Sequence, residues 1–130
     1  MPKSLVIAKI VAVMIGAQVI GYSEGVGAYY APGLMEGVCR YRVSEGWNDL
    51  DCDWPCLVSA IEPEHLGEMW LVDLPGGSVH VCHVVDVGAA HDLNALRSRG
   101  EVIEISWAMA QAMDWTGYTE GVKVWRLGTF

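Results

Sequence analysis

The sequence predicts a small, mainly β domain that closes as a barrel and carries one or two short helices, with an apolar helix ahead of it. The chain has 130 residues, which is enough for one domain of ordinary size. Its short apolar segments are separated by glycine, proline and polar residues, as β-strands are. Many short strands with little helix favour a barrel over a sandwich.

The predicted strands follow one another along most of the chain. The first covers residues 25–30 and ends at Pro32 and Gly33. A turn at 75–78 joins two later strands as a hairpin. The remaining strands are predicted over 56–61, 68–74, 79–87, 101–105 and 122–127.

One helix signal stands between the last two strands. Ser106 occupies an N-cap position before an Ala- and Met-rich run at 107–113. Residues 33–56 and 91–100 show no sustained period and are predicted as loops. The first of these loops is long for a compact domain, so we expect cross-links or a function within it.

The first 23 residues fit an export signal, with Lys3 and Lys9 beside an apolar run that continues to Ile20. An uncleaved membrane anchor is the alternative, although the run is short for a bilayer span. A buried helix of the domain is a third reading. The sequence therefore predicts a leader or anchor over 1–23 and a secreted, periplasmic or cell-surface domain over 24–130. Small residues near a cleavage point are Gly16, Ala17, Gly21 and Ser23.

An even number of cysteines in a short exported chain predicts two disulfides, with three possible connectivities. A zinc site near His80, Cys82 and His83 is the alternative, but the chain has no second matched cysteine pair. We therefore expect disulfides, and neither a metal nor another cofactor. The disulfide candidates are Cys39, Cys52, Cys56 and Cys82.

Composition excludes some classes of partner. Hydrophobic residues make up 52% of the chain and charged residues 18%, so the chain can bury a core. The formal net charge of −8 gives no electrostatic footprint for nucleic acid. It also repels anionic lipid, so a membrane is expected as a partner only through an uncleaved leader.

Short motifs across residues 57–127 resemble the double-psi β-barrel group. Leu66-Gly67, then Asp86 within Val-Val-Asp-Val-Gly, then Glu104 within Val-Ile-Glu-Ile-Ser are similar to its strings "leu-gly-thr", "val-x-asp-x-gly" and "ile-asp-leu-ser". Tyr29 and Tyr30 resemble its opening "ala-x-tyr-tyr" strand. The group includes rare lipoprotein A, expansins, barwin-like proteins and the three-aspartate domain of lytic transglycosylases. The resemblance implies a six-stranded double-psi β-barrel that acts on cell-wall polysaccharide.

The resemblance also implies an acidic site at Glu62, Asp86 and Glu104. The sequence departs from the pattern, because two of these are Glu rather than Asp. In addition, Ile61 lies near the position of a histidine in rare lipoprotein A. Strict alternation along 79–87 places Asp86 on the same face as His80, Cys82 and Val84.

Paired carboxyl groups can cleave a glycosidic bond when one of them stays protonated near neutral pH. We expect Asp86 to be that acid and Glu104 to be the neighbour that raises its pKa, with Glu62 third. In a lytic transglycosylase the acid protonates the glycosidic oxygen and then accepts the proton of the muramyl C6 hydroxyl. The alternative for each residue is that it caps a strand or faces solvent.

Flat aromatic rings pack on sugar rings, so Tyr29, Tyr30, Trp47 and Trp54 are candidates for substrate binding. Three other tryptophans, Trp70, Trp107 and Trp125, fit core positions. The sequence thus favours a peptidoglycan-cleaving enzyme of lytic transglycosylase type. A non-catalytic expansin-like or barwin-like glycan-binding module is the alternative, and a structural protein without a glycan ligand is a third.

Overall fold

A computed structural model describes residues 3–14, 18–76 and 78–129 of the chain. Four α-helices and six strands account for most of them, and two short 3-10 turns lie at Pro63–His65 and Ala90–Asp92. The helices are α1 (Lys3–Met14), α2 (Leu34–Ser44), α3 (Leu93–Ser98) and α4 (Trp107–Ala112). The strands are β1 (Gly21–Tyr29), β2 (Leu57–Ala60), β3 (Met69–Leu74), β4 (Ser78–Val87), β5 (Glu101–Ile105) and β6 (Thr119–Gly128).

The six strands close into a barrel in the order β1–β5–β2–β4–β3–β6. Two neighbouring pairs, β1 with β5 and β2 with β4, run parallel, and the other four pairs are antiparallel. The small, mainly β barrel predicted from the sequence is therefore confirmed. This closed mixed barrel is compatible with a double-psi fold.

The predicted strands and the hairpin agree with the structure. Leu74 pairs with Ser78 across the hairpin between β3 and β4, and Gly77 in its turn lies outside the described residues. Apolar side chains at alternate positions fill the barrel interior, as strand geometry requires. They include Val58, Ala60, Val72, Val84, Ile103, Ile105, Val122 and Val124.

Helix α4 forms where the sequence predicts it, and the Ser106 hydroxyl accepts a hydrogen bond from the backbone N–H of Met109 at 3.2 Å. Helices α2 and α3 lie where the sequence predicted loops. Each covers the barrel with few apolar residues, Met35 and Cys39 in α2 and Leu96 in α3. Such short helices are stabilised by tertiary contacts more than by their own periodicity.

Two disulfides join the four cysteines, as predicted. Cys39 of α2 pairs with Cys52, and Cys56 pairs with Cys82 of β4. The first bond holds α2 against the loop that follows it. Two disulfides are typical of proteins from oxidising, extracytoplasmic compartments.

Helix α1 packs on the outside of the barrel through small side chains. Ala8 and Ala12 are buried against a cluster that contains Leu71, Trp125 and Leu127. The Trp125 indole donates a hydrogen bond to the buried Ser4 hydroxyl at 3.0 Å. Within the described residues, no helix combines the length and apolar content that a bilayer crossing needs.

The leader predicted over residues 1–23 overlaps this structure. Residues 21–23 belong to β1, where Gly21 pairs with Arg126 of β6, while Gly16 and Ala17 lie outside the described residues. Export and cleavage of the leader remain predictions. Of the tryptophans assigned to the core, Trp70 and Trp125 are buried, but Trp107 in the first turn of α4 is exposed, so that assignment was wrong.

The absence of a side chain at Gly25 is required by the barrel. A Cβ atom there would lie 2.3 Å from the Gly100 carbonyl oxygen and 3.0 Å from Val102 Cγ1. We expect Gly25→Ala to lower the free energy of unfolding by about 1–3 kcal/mol, as overpacking does. Chemical denaturation measures this change.

Gly37 of α2 provides the matched control, because a Cβ atom there meets no other atom within 4 Å. Alanine is the better helix former, so Gly37→Ala is expected to raise the free energy of unfolding by about 0.5–1 kcal/mol. Equal stability of the two variants would contradict the close contact at Gly25.

The contact between α1 and the barrel gives a second prediction. A chain that begins at Gln18 lacks α1 and leaves the apolar cluster around Trp125 open to water. We expect its free energy of unfolding to fall by on the order of 2 kcal/mol. The control is Val13→Ser, since Val13 lies on the exposed side of α1. Unchanged stability without α1 would show that the helix is dispensable.

Candidate functional site

Asp86 and Glu104 lie on the same face of the barrel because of a β-bulge. Val58 of β2 pairs with Val84 of β4, but the next residue, Ser59, pairs with Asp86 and so skips one residue of β4. Ser59 also pairs with Glu104 of β5 on its other side. Residues opposite one another in a ladder share a face. The row Asp86–Ser59–Glu104 therefore crosses three neighbouring strands.

This bulge corrects the predicted face of Asp86. Strict alternation groups Asp86 with Cys82 and Val84, both of which point into the barrel core. The extra residue in β4 removes the alternation, so Asp86 leaves that inward series and joins Ser59, whose neighbours in β2 point inward. Bulges commonly re-aim a side chain beside a functional site.

A second bulge brings a third carboxyl group to the site. Val26 of β1 pairs with Glu101, but Gly27 pairs with Ile103, so Val102 is the extra residue in β5. Residues three apart in a regular strand point to opposite faces. With the bulge between them, Glu101 and Glu104 line the same cavity of about 250 Å³.

Glu104 is about half protonated near neutral pH. Partial burial of the side chain, a hydrogen bond with Glu101, and the negative charges of Glu101 and Asp86 raise its pKa to about 7. Arg99 acts in the opposite direction but is the weakest of the influences on this group. A carboxyl group with this pKa can both donate and accept a proton at physiological pH.

Glu101 is the partner of Glu104 in this arrangement. Its side chain is fully buried, and Arg99 donates to Glu101 Oε2 from Nε at 3.1 Å and from Nη2 at 2.8 Å. The other oxygen, Oε1, is buried and receives no hydrogen bond from a protein donor in the described residues. The nearby Glu101 side chain contributes to the raised pKa of Glu104, after the larger effect of burial.

Asp86 is an acceptor on both of its oxygens. The Tyr30 hydroxyl donates to Oδ2 at 2.5 Å, and Arg42 Nη2 donates to Oδ1 at 2.6 Å. Burial, followed by the hydrogen bond to Asp86, raises the pKa of Tyr30 far above its ordinary value, so its hydroxyl stays protonated. Asp86 thus lies across Ser59 from Glu104, and Arg42 and Tyr30 offset the charge of its carboxylate.

Helix α2 delivers Arg42 to Asp86. Met35, Cys39 and Arg42 are spaced by four and three residues, so they lie on one helix face. Met35 is buried against β2 and β4, and Cys39 is held by its disulfide to Cys52. The buried side chain and the covalent bond fix the face from which Arg42 reaches the site.

The third predicted acid, Glu62, is not brought to this site. It precedes the 3-10 turn at 63–65 and receives two hydrogen bonds from Arg97, at 2.9 and 2.6 Å. These bonds lower the pKa of Glu62, so it is ionised at neutral pH. Glu62 lines a different cavity, of about 120 Å³, which Glu101 also borders but Glu104 does not.

The four aromatic candidates fall into two groups. Tyr29 lines the cavity of Glu101 and Glu104, and the Tyr30 hydroxyl donates a hydrogen bond to Asp86. Trp47 and Trp54 line a separate, half-open cavity of about 490 Å³. The Trp54 indole donates to the Val81 carbonyl at 2.8 Å, whereas Trp47 is half exposed.

Sequence reasoning missed four residues of the acidic site: Arg42, Arg99, Glu101 and Tyr118. Arg99 and Tyr118 line the cavity of Glu104, and the Arg99 guanidinium carbon lies 5.3 Å from the centre of the Tyr118 ring. The spacing of Met35, Cys39 and Arg42 was a usable signal for α2. No signal in the sequence marked the bulge that brings Glu101 beside Glu104.

The raised pKa of Glu104 predicts how stability depends on pH. Its pKa is about 7 in the folded protein and 4.5 as the ordinary value, so the folded state binds more protons between these limits. The free energy of unfolding of the wild type, relative to Glu104→Gln, should fall as pH rises from 4.5 to 7 and stay level above. Each pKa unit corresponds to about 1.4 kcal/mol.

Denaturation of both proteins from pH 4 to pH 8 measures this difference, and the comparison cancels the contributions of other groups. Glu62→Gln is the control: Arg97 lowers the pKa of Glu62, so the difference between the wild type and this variant should not fall across the range. If the difference in free energy of unfolding between wild type and Glu104→Gln stays flat or rises with pH, the pKa of Glu104 is not raised in the folded protein.

Comparisons of the chain with protein-family models, curated proteins and solved structures gave no match. Three carboxyl groups, two arginines and three tyrosines lie close together at this site. One of the carboxyl groups, Glu104, is about half protonated at neutral pH because its pKa is raised to about 7.

Proposed function

We propose that this barrel cleaves glycosidic bonds in a cell-wall polysaccharide, with peptidoglycan as the expected substrate, by acid–base chemistry at Glu104. The observation that carries the proposal is the pKa of about 7 for Glu104 beside two further carboxyl groups. Such pairs are how enzymes keep an acid protonated next to a carboxylate at neutral pH. We infer that the chain is a member of the double-psi barrel group that the motifs resemble.

The proposed reaction uses one group twice. The Glu104 carboxyl donates its proton to the glycosidic oxygen as the bond from that oxygen to C1 breaks, which leaves a cation-like sugar. The Glu104 carboxylate then takes the proton of the C6 hydroxyl, and the hydroxyl oxygen bonds to C1. The product is an anhydro-sugar, Glu104 is protonated again, and no water is consumed.

Asp86 has a different role in this proposal from the one expected from the sequence. Both of its oxygens accept hydrogen bonds, and Glu104 is the group with a proton to give. Asp86 is therefore proposed as the fixed negative charge that favours the cation-like transition state. The sequence suggested Asp86 as the acid and Glu104 as its neighbouring carboxylate. In this proposal Glu104 is the acid and Asp86 is the neighbouring carboxylate.

Digestion of peptidoglycan sacculi, followed by mass spectrometry of the released fragments, tests the enzyme. We expect anhydro-muropeptides from the wild type and a roughly 10²–10⁴-fold lower yield from Glu104→Gln, which is the typical contribution of general acid–base catalysis. Asp86→Asn should also reduce the yield. Glu64→Gln, an exposed acid outside the site, is the matched control and should retain full activity.

A glycan-binding module without catalysis is the second candidate. The observation that favours it is the half-exposed Trp47 in a cavity that contains none of the three carboxyl groups. This function predicts that the protein sediments with sacculi, releases no soluble product, and loses binding in Trp47→Ala. Soluble products that depend on Glu104 would exclude it as the main activity.

A further inference from the structure

We propose that Tyr118 is the platform on which an uncharged sugar unit stacks next to Glu104, in a groove that admits neutral rather than anionic glycans. This inference deepens the proposed function by naming the substrate class and the residue that binds it. Tyr118 lies in the segment between α4 and β6. It was not among the aromatic residues expected from the sequence.

The first support is the position and exposure of the ring. Tyr118 is 62% exposed, and it borders the same cavity as Tyr29, Glu101 and Glu104. A sugar packed on an exposed aromatic ring buries the apolar faces of both, which favours binding. A sugar on Tyr118 therefore lies beside the group that holds the proton.

The second support is that the ring is held in place before any ligand arrives. The Arg99 guanidinium lies over one side of Tyr118, with its central carbon 5.3 Å from the ring centre. Arg99 is itself held by two hydrogen bonds to the buried Glu101. A platform that is already ordered loses little conformational entropy on binding. Arg99 is thus a positioning residue for Tyr118.

The third support is the shape of the surface around Tyr118. An open cavity of about 620 Å³, lined by Val26, Thr119 and Glu120, lies beside the cavity of about 250 Å³ that contains Glu104. Arg99 and Tyr118 line both cavities. Pockets that bind organic ligands typically measure about 300–1,000 Å³. The inner cavity alone is too small for several sugar units, but the two together accommodate a short glycan.

Charge selects the class of glycan. Glu101 and Glu120 line the two cavities beside the partly protonated Glu104, and Arg99 is the single cation among the residues described there, already paired with Glu101. A carboxylated or sulfated sugar would bring a further negative charge to this groove without a free cation to receive it. Like charges at short range are repelled, so neutral sugars are favoured.

Binding to Glu104→Gln tests the platform without turnover. The probes are chitotetraose, a neutral oligomer of N-acetylglucosamine, and a tetramer of galacturonic acid, which is anionic. Isothermal titration calorimetry should show binding of the neutral probe and at least tenfold weaker binding of the anionic one. Adding Tyr118→Ala should weaken binding of chitotetraose by roughly three- to tenfold, while Tyr118→Phe should retain it.

Trp47→Ala in the same Glu104→Gln background is the matched control, because Trp47 is exposed to a similar degree but lines the other cavity. Circular dichroism verifies that each variant is folded. Loss of binding in Trp47→Ala but not in Tyr118→Ala would overturn the inference. So would equal affinity for the two probes, or no detectable binding of chitotetraose.

The outcome also separates this inference from the proposed function. Tyr118-dependent binding in a protein that releases no product from sacculi would keep the platform and remove the enzyme. Cleavage of sacculi that requires Glu104 but has the same KM in wild type and Tyr118→Ala would keep the enzyme and remove the platform.

Discussion

Three carboxyl groups share one partly buried face of a closed barrel, and the site depends on the cost of burying their negative charges, to which their mutual repulsion adds. Burial makes each negative charge costly, so each needs a cation, a hydrogen-bond donor or a proton. Asp86 has Arg42 and Tyr30, and Glu101 has Arg99. Among the described residues no arginine donates a hydrogen bond to Glu104. The pKa of Glu104 is instead raised to about 7. Asp86 and Glu101 are each paired with an arginine, and Glu104 is not. Glu104 is therefore the group that acts as the acid.

The constraint explains why a disulfide-linked helix covers this side of a small barrel. A helix of 11 residues with two buried side chains is marginal by itself. The bond from Cys39 to Cys52 and the burial of Met35 hold α2 in place, and Arg42 one turn from Cys39 then compensates Asp86. The cross-linked segment, which at first resembles a stabilising addition, therefore contributes directly to the electrostatics of the site.

The sequence predicted the strands well because alternation and turn residues are local signals. The hairpin of β3 and β4 and the Ser106 cap of α4 are examples. Prediction from the sequence failed where a single extra residue changed the strand register. The bulges opposite Ser59 and Val26 leave no mark in the alternation of β4 or β5, yet they decide where Asp86 and Glu101 point. The motif order thus located two acids of the site, whereas the third acid and both arginines required tertiary contacts.

The contacts of α1 bear on the three readings that the sequence left open for the N-terminus. Ser4, Ala8 and Ala12 cover Leu71, Trp125 and Leu127, so a cleaved leader would expose an apolar patch on the finished barrel. The opposite side of α1 presents Ile10, Val13 and Met14 to solvent. These contacts explain how α1 packs on the barrel, while the leader, the anchor and export remain predictions from the sequence.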